Sequence, residues 1–419
     1  MLAKAQSLAA KSEGIDDPQL AGLTSMQGYL YHTKYEGKKY DPYIFRGLYY
    51  SLAKLNGYNY NAVKISGGGK NRMYTIAVSG TSTSFYTTGS DGKIVKGDYL
   101  NTDVKSTTIY ENKGFPNKVL ALSKDEKYLV NGSDSSYIEI INLASPSKPK
   151  RVEGHTRFVT DIEFMPDNSG FITTSADRSL RFTNQESGVS RKILSLPYEL
   201  KSIDISPNGK QLVGVSSSGK MVLVDLSTNS YKEIWNDESS LKLKDSTKSI
   251  TVSNRILSVA WSPNSQLIAF GVEVLNERRQ PVRGIVKLYN LQTKNVKELT
   301  GHKSGIADLE FSPDGSLLAS AGLDSKLQMW VVDHPEDLPI IMDNNNGSVW
   351  DVEFTRNSKY LIASCNNGEI RVWPTDPRML AESVCPKMER NMTKDEWDSY
   401  VGKDIDFEST CQSLLINKF

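Results

Sequence analysis

Over most of the chain, apolar residues alternate with polar ones in short runs, as in Ile306, Leu309 and Phe311 followed, after a turn, by Leu317, Leu318 and Ala319. A two-residue period sends successive side chains to opposite faces of a strand, so this pattern predicts short strands joined by tight turns. The N-terminal stretch reads differently. Leu20, Leu23, Met26 and Leu30, and then Phe45, Leu48, Tyr49 and Leu52, recur at three- and four-residue intervals, the stripe of helices that bury one face. Each stripe follows an Asp-Pro pair, Asp17-Pro18 and Asp41-Pro42, in which the aspartate can cap free amides and the proline suits the first helical position. The same pair returns at Asp376-Pro377, and Thr393-Lys394-Asp395-Glu396 reads as a capping box opening a short helix that Gly402 closes. The expected organisation is a helical segment over 1–58, strands over 59–376 and a helical tail over 377–419, docked through Trp397 and Phe407.

The strand region repeats. A turn of the type Ser-Pro-Asn/Asp-Gly stands between two apolar strands at Ser206, Ser262 and Ser312, with weaker copies at Ser79, Ser123, Met165 and Thr355. These starts are spaced by 44, 42, 41, 56, 50 and 43 residues, close to the ~40–45 of a four-stranded propeller blade. A lone blade leaves both faces open to water, and packing blades around an axis covers them, so the ring must close. The last repeat stops after three strands at Trp373-Pro374, and the alternating segment Asn59 to Ile65, upstream of the first blade, is the expected donor of the fourth.

The repeat from Gly301 to Asp333 resembles a WD40 repeat almost position for position. His302, Ser320, Asp324 and Trp330 stand where that family places a hydrogen-bonded tetrad. His155, Thr173 and Asp177 keep three of its members, with Thr183 in the tryptophan place, and the last blade keeps Trp373 but has Ala363 and Asn367 in the serine and aspartate places. The Ala-Trp-Ser-Pro-Asn run of the fifth repeat also resembles TolB-type propeller repeats. The resemblance implies an all-β fold, a WD40-type β-propeller of about seven blades. The two ends are similar to segments flanking WD40 arrays in bacterial STAND-type signalling ATPases and caspase-like relatives: Asp-Pro-Gln-Leu-Ala-Gly-Leu near the N-terminus, and Arg390-Asn391-Met392-Thr393, Glu396-Trp397 and Thr410-Cys411 in the tail. This implies a sensor or scaffold region whose effector domains are absent from the sequence.

Fifty basic against 49 acidic residues leave no overall field to draw the chain onto nucleic acid or an anionic membrane. No apolar run approaches the ~20 residues of a membrane-spanning helix, and no signal-peptide pattern opens the chain. A cytoplasmic protein, or part of a longer anchored one, is expected. Of three cysteines, Cys365 reads as a buried thiol, while Cys385 and Cys411 could meet in the tail.

Catalytic signatures are weak. His155 and His302 are absorbed by the tetrad, and His32 and His334 have no partner histidine at ligand spacing. Gly67-Gly68-Gly69-Lys70 lacks the phosphate-loop glycine, replaced by Lys64, and is followed by Asn71 rather than Ser or Thr. A Gly-x-Ser-x-Gly elbow is missing. Repeat alignment puts Thr75, Val119, Asp161, Ser202, Ser258, Asp308 and Asp351 on the central channel; the three aspartates invite a calcium reading, although in WD40 proteins an aspartate here bonds to nearby backbone. No cofactor or metal is expected.

Two function classes are therefore weighed: a non-enzymatic protein-interaction scaffold or sensor that binds on the upper face, and a propeller enzyme or ligand-binding ring with its site in the channel. The first is favoured. Its expected contact residues are Arg72, Tyr74, Lys118, Phe158, Lys201, Arg255 and Trp350 on the rim, with Arg278 and Arg279 on a long insertion beside it and a second insertion over 237–254. The rim set mixes basic and aromatic residues, with Glu199 its one acid, so an acidic protein or peptide is the expected partner, with Trp350 and Phe158 as anchors.

Overall fold

In the computed structural model, which describes all residues except 64, 66–71, 101–105, 113–114, 243–248 and 415–419, the seven repeat turns close alike. The amides of Ser79, Ser123, Met165, Ser206, Ser262, Ser312 and Thr355 each donate to the carbonyl five residues on. The hydroxyl is the reason for Ser or Thr at this place: Ser206, Ser262 and Ser312 each accept the amide of the residue five on, at 2.9 Å, and donate to the Asn or Asp two residues on. Gly209 and Gly315 take the left-handed conformation that the turn requires, with φ of +69° and +73°. Ser265 adopts it without a glycine.

Each turn opens a four-stranded antiparallel sheet, and the sheets form seven blades: 73–111, 117–152, 159–195, 202–236, 255–300, 306–342, and 349–374 completed by Ala62–Val63. Seven apolar clusters fill the spaces between consecutive blades. The expected closure is present: Ala62 pairs with Arg371 and Val63 with Ile370. Fully buried Arg371 secures it by donating to Asn61 Oδ1 (3.1 Å), Asn59 Oδ1 (2.8 Å) and Glu369 Oε2 (2.9 Å). A guanidinium taken out of water needs such partners, and two of the three come from the donated segment.

The tetrad geometry is complete in blade 6. His302 spans Asp324 (3.1 Å) and Ser320 (2.8 Å), Trp330 Nε1 donates to Ser320 Oγ (3.2 Å), and Asp324 accepts the Lys303 amide (2.7 Å). Burial works to raise the Asp324 carboxyl, but the His302 contact and the amides outweigh it and leave it below its usual range. In blade 3, His155 spans Asp177 (3.0 Å) and Thr173 (2.9 Å), and Thr183 turns to Ser190 instead.

A second set of fasteners lies on the channel side. Asp161 accepts the amide of Ile203, Asp204 that of Trp261, Asp308 that of Val352, Asp351 that of Ile76 and Glu353 that of Val78. Every one of these bonds joins a blade to the next. Asp161 also takes the nearby backbone contact expected from the family resemblance, at its own neighbour Ile162, and Asp204 has the equivalent contact with Ile205. Ser258 joins blades 5 and 6 by donating to Ile306 O. Burial raises Asp204 to about 6, and burial with neighbouring carboxylates raises Asp161 to about 7 and Glu353 to about 8. The same two causes push Glu163, Asp308 and Glu310 well above the usual range. Lys124 is the channel's counter-charge: burial opposes its ionisation, but Glu163, Glu353, Glu310 and Asp204 raise it.

Outside the ring, α1 (Leu2–Glu13), α2 (Pro18–Lys34) and α3 (Pro42–Asn56) pack together and join the apolar cluster between blades 6 and 7. Asp17 caps α2 through the Gln19 amide, and Asp41 caps α3 through those of Tyr43 and Ile44. The helices approach closely at Gly28 and Gly47, where an added Cβ would lie 2.9 Å from Ala5 O and 2.7 Å from Ala9 O. The tail contains α4 (Pro377–Val384) and α5 (Lys394–Trp397), the latter opened by the Thr393–Glu396 capping box. Cys385 and Cys411 are disulfide-bonded, a bond that persists in oxidising surroundings rather than in the cytoplasm. Trp397 is fully buried, 5.5 Å from Phe407 in an edge-to-face contact, and Gln27 of α2 bonds to Thr410 and Glu408.

Three outcomes are expected. Asp324→Ala strands a buried imidazole and should cost about 1–3 kcal/mol in urea denaturation; an unchanged midpoint would remove the tetrad from the stability of blade 6. The second concerns pH. The raised carboxyls keep protons in the folded chain that the unfolded chain, titrating near ~4, has released, so their contribution to stability falls as pH rises from about 4 to about 8. Glu310→Gln should therefore raise the melting temperature more at pH 8 than at pH 4, and a variant no more stable at pH 8 would contradict this. Third, Cys385→Ser should lower stability by about 2–4 kcal/mol. Two thiols reactive in the native, unreduced protein would refute the bridge.

Candidate functional site

The two histidines outside the tetrads have contacts within the fold. His32 Nε2 bonds to Lys38 O at 2.9 Å, and His334 lies 3.5 Å from Glu336 on the surface. Cys365 is buried and free, its thiol pushed up to about 12 by burial, which suppresses the reactive thiolate. The glycine run Gly67-Gly68-Gly69-Lys70 lies outside the described residues. Channel carboxyls with raised pKa are the pattern of acid–base chemistry, yet four of the six, Asp161, Asp204, Asp308 and Glu353, already hold an amide of the next blade. Among the described residues, no group of three or more His, Cys, Asp or Glu is placed to hold a metal ion. The lower carboxylate layer, Glu163, Asp204, Glu310 and Glu353, escaped the sequence reading, although it stands two residues beyond the channel positions that were aligned and so on the same strand face.

The upper end of the ring carries the turns that lead into each inner strand. Tyr74 and Trp350, from blades 1 and 7, meet edge to face at 6.0 Å, both half-buried, and Trp350 Nε1 donates to Asn366 at 3.3 Å. The rim cations are less free than their count suggests. Lys118 pairs with Asp134 at 2.6 Å, Lys201 with Glu199, and Arg255 with nearly buried Glu273 at 3.1 Å. Asp134 and Glu273 arrive from the next hairpin of the same blade, so a census of the inner-strand starts could not include them. Arg72, Arg278 and Arg279 are exposed with no carboxylate partner among the described residues.

Two concavities lie at this end. One, about 580 Å³, is formed by the long hairpin of blade 5, whose strands Leu267–Leu275 and Pro281–Asn290 carry Arg278, Arg279 and half-exposed Val282 at the tip. The neighbouring insertion forms its own hairpin, Glu238–Lys242 paired with Ser249–Ser253. The other, about 570 Å³, lies over the junction of blades 2 and 3 and includes Phe158 beside Phe115, Tyr137, Arg151 and Arg157. Lys118 lies over the Phe158 ring at 5.3 Å. Phe115, Tyr137, Arg151 and Arg157 were not legible as site residues, because they come from separate turns that only the blade packing brings together. Among the described residues, no helix is long and apolar enough to cross a membrane.

The comparisons agree with the architecture. The family model "WD domain, G-beta repeat" matches residues 147–184, 293–331 and 339–374. Protein SOF1 of Saccharomyces cerevisiae is 25% identical over 213 residues, 49% of this chain and 38% of the relative. Apoptotic protease-activating factor 1 of Rattus norvegicus is 24% identical over 237 residues, 56% of this chain and 17% of the relative. Serine-threonine kinase receptor-associated protein of Gallus gallus is 24% identical over 217 residues, 51% of this chain and 54% of the relative. The chain thus spans between about a sixth and about half of the length of these relatives. What they share with it is the repeat region, and proteins built on such repeats generally serve as protein-interaction scaffolds. The chain is a seven-bladed β-propeller carrying WD40 repeats.

Proposed function

We infer that this chain is a non-enzymatic interaction module, a scaffold or sensor, whose partner seats on the upper face of the ring. One observation carries the reading: both concavities, the Tyr74–Trp350 pair and the exposed arginines stand at the same end, while the channel carboxylates are occupied in holding blades together. Aromatic and arginine side chains in shallow, half-desolvated settings are where interface energy concentrates. The partner is an acidic protein or peptide surface. Its charge partners are Arg72, Arg278 and Arg279 rather than Lys118, Lys201 and Arg255, because the latter three are already neutralised and an incoming carboxylate would have to displace Asp134, Glu199 or Glu273. Trp350 and Phe158 serve as anchors. The similarity of both chain ends to segments around STAND-type WD40 arrays supports a signalling context, in which the ring would report on a bound protein.

The test is affinity capture from the source cell with quantitative mass spectrometry. It compares the wild-type ring, an upper-face variant with Trp350→Ala and Arg72→Ala, and a wall variant with Lys232→Ala on the outer strand of blade 4. Capture of a specific protein should fall about tenfold or more for the upper-face variant and persist for the wall variant, with both melting as folded proteins. Undiminished capture by the folded upper-face variant would move the site to the wall or to the helices.

A further inference from the structure

Four of the seven blade junctions carry carboxylate fasteners on the channel side and a fifth is bonded by Ser258. The two junctions that flank blade 2 carry none, since Thr75 and Ala77 of blade 1 and Val119 and Ala121 of blade 2 make no equivalent bond among the described residues. Blade 2 is held to blade 3 chiefly by apolar packing of Val130, Ile138 and Val152 against Val159, Ile162 and Phe164. The 570 Å³ groove opens above this junction.

Its walls combine two chemistries. Phe115 is 44% exposed and Phe158 half-buried, which leaves apolar surface facing solvent. The Arg151 guanidinium stacks on the Tyr137 ring at 3.5 Å, a contact that fixes its plane while its outer N–H groups stay available. One of its nitrogens reaches the highly exposed Glu153 at 3.3 Å, a pairing that water screens and a ligand can replace. Arg157 is exposed and has no carboxylate partner among the described residues. Two arginines thus face a groove whose size falls within the ~300–1,000 Å³ of ordinary ligand sites, and the acid nearest its floor, Asp134, is satisfied by Lys118.

We propose that the groove above blades 2 and 3 is a peptide-docking site that takes a short segment carrying acidic side chains next to one large apolar side chain. The carboxylates engage Arg151 and Arg157 and the apolar side chain packs on Phe115 and Phe158. This rests on the upper-face reading and narrows it to one sector of the ring.

The test selects a displayed random heptapeptide library on the full chain, on Arg157→Glu, on Phe115→Ala and on the wall variant Lys232→Ala, each first shown to melt cooperatively. On the wild type the enriched peptides should hold Asp or Glu beside Leu, Phe or Met. Arg157→Glu should weaken them about tenfold or more and shift fresh selections toward Lys and Arg, Phe115→Ala should reduce the apolar preference, and Lys232→Ala should leave the selection unchanged. The proposal is overturned if nothing is enriched over bare support, if the enriched peptides lack acidic residues, or if binding is indifferent to Arg157→Glu. Comparison with the cellular capture separates the two readings. If Trp350→Ala with Arg72→Ala abolishes capture while Arg157→Glu does not, the groove is excluded and the upper face stands; if neither changes capture, both fall.

Discussion

The ring depends on a two-residue strand. Ala62 and Val63 supply the fourth strand of blade 7, and without them that sheet ends in an open edge beside the first blade. Two backbone pairings are a small interaction for so large a role, and their strength comes from the side chains around them. Arg371 is fully buried beneath the donated segment and is neutralised by Glu369, with Asn59 and Asn61 accepting from its terminal nitrogens. Breaking the closure would leave a charged group in the interior without partners, which costs far more than the backbone bonds themselves. The helices are coupled to the same place: Tyr49 of α3 bonds to Asn61, and α1 to α3 share the apolar cluster of blades 6 and 7 with the tail. The chain's two ends are thus folded onto the seam that they close.

Away from the seam, the blades are fastened on two radii. The outer fastener is the histidine tetrad, complete in blade 6 and reduced in blade 3. The inner one is the set of channel carboxylates that accept amides from the next blade. These carboxylates bring like charges together in an enclosed channel, and the protein meets that repulsion by holding some of them protonated into the neutral range and by placing Lys124 among them. The arrangement links the mechanical role of the channel to its electrostatics. The shift of Asp161, Asp204, Asp308 and Glu353 thus accompanies a structural bond to the next blade.

The inner fasteners are unevenly distributed, and this has a consequence at the surface. Blade 2 carries apolar residues at both channel positions, so neither of its junctions has a carboxylate fastener, and Asn117 of its inner strand bonds to Thr88 of blade 1 instead. The solvent-facing aromatic groove stands above one of them. On the rim, by contrast, Lys118, Lys201 and Arg255 each find an acid within the ring, so the positive character of the upper face resides in Arg72 and in arginines farther out, on the blade 5 hairpin and at the groove.

The sequence by itself determined the blade. Period-two alternation, seven turns of which six have Ser or Thr at the start, and the missing fourth strand specify local hydrogen bonds that close within a few residues, so they can be read without knowing what packs where. The same holds for the Asp-Pro caps, the Thr393–Glu396 box and the tetrad, whose members occur at repeat spacing. The pairing of Cys385 with Cys411 stayed open at that level, because two thiols 26 residues apart can be joined only if the tail folds back. Tertiary structure alone decided which charges are spent. Asp134 neutralises Lys118 from 16 residues away and Glu273 neutralises Arg255 from 18, and Arg157 gains its neighbours Tyr137 and Arg151 from the preceding blade. Such contacts are set by the blade-to-blade rotation of the ring, a property of packed sheets that no local pattern of residues encodes.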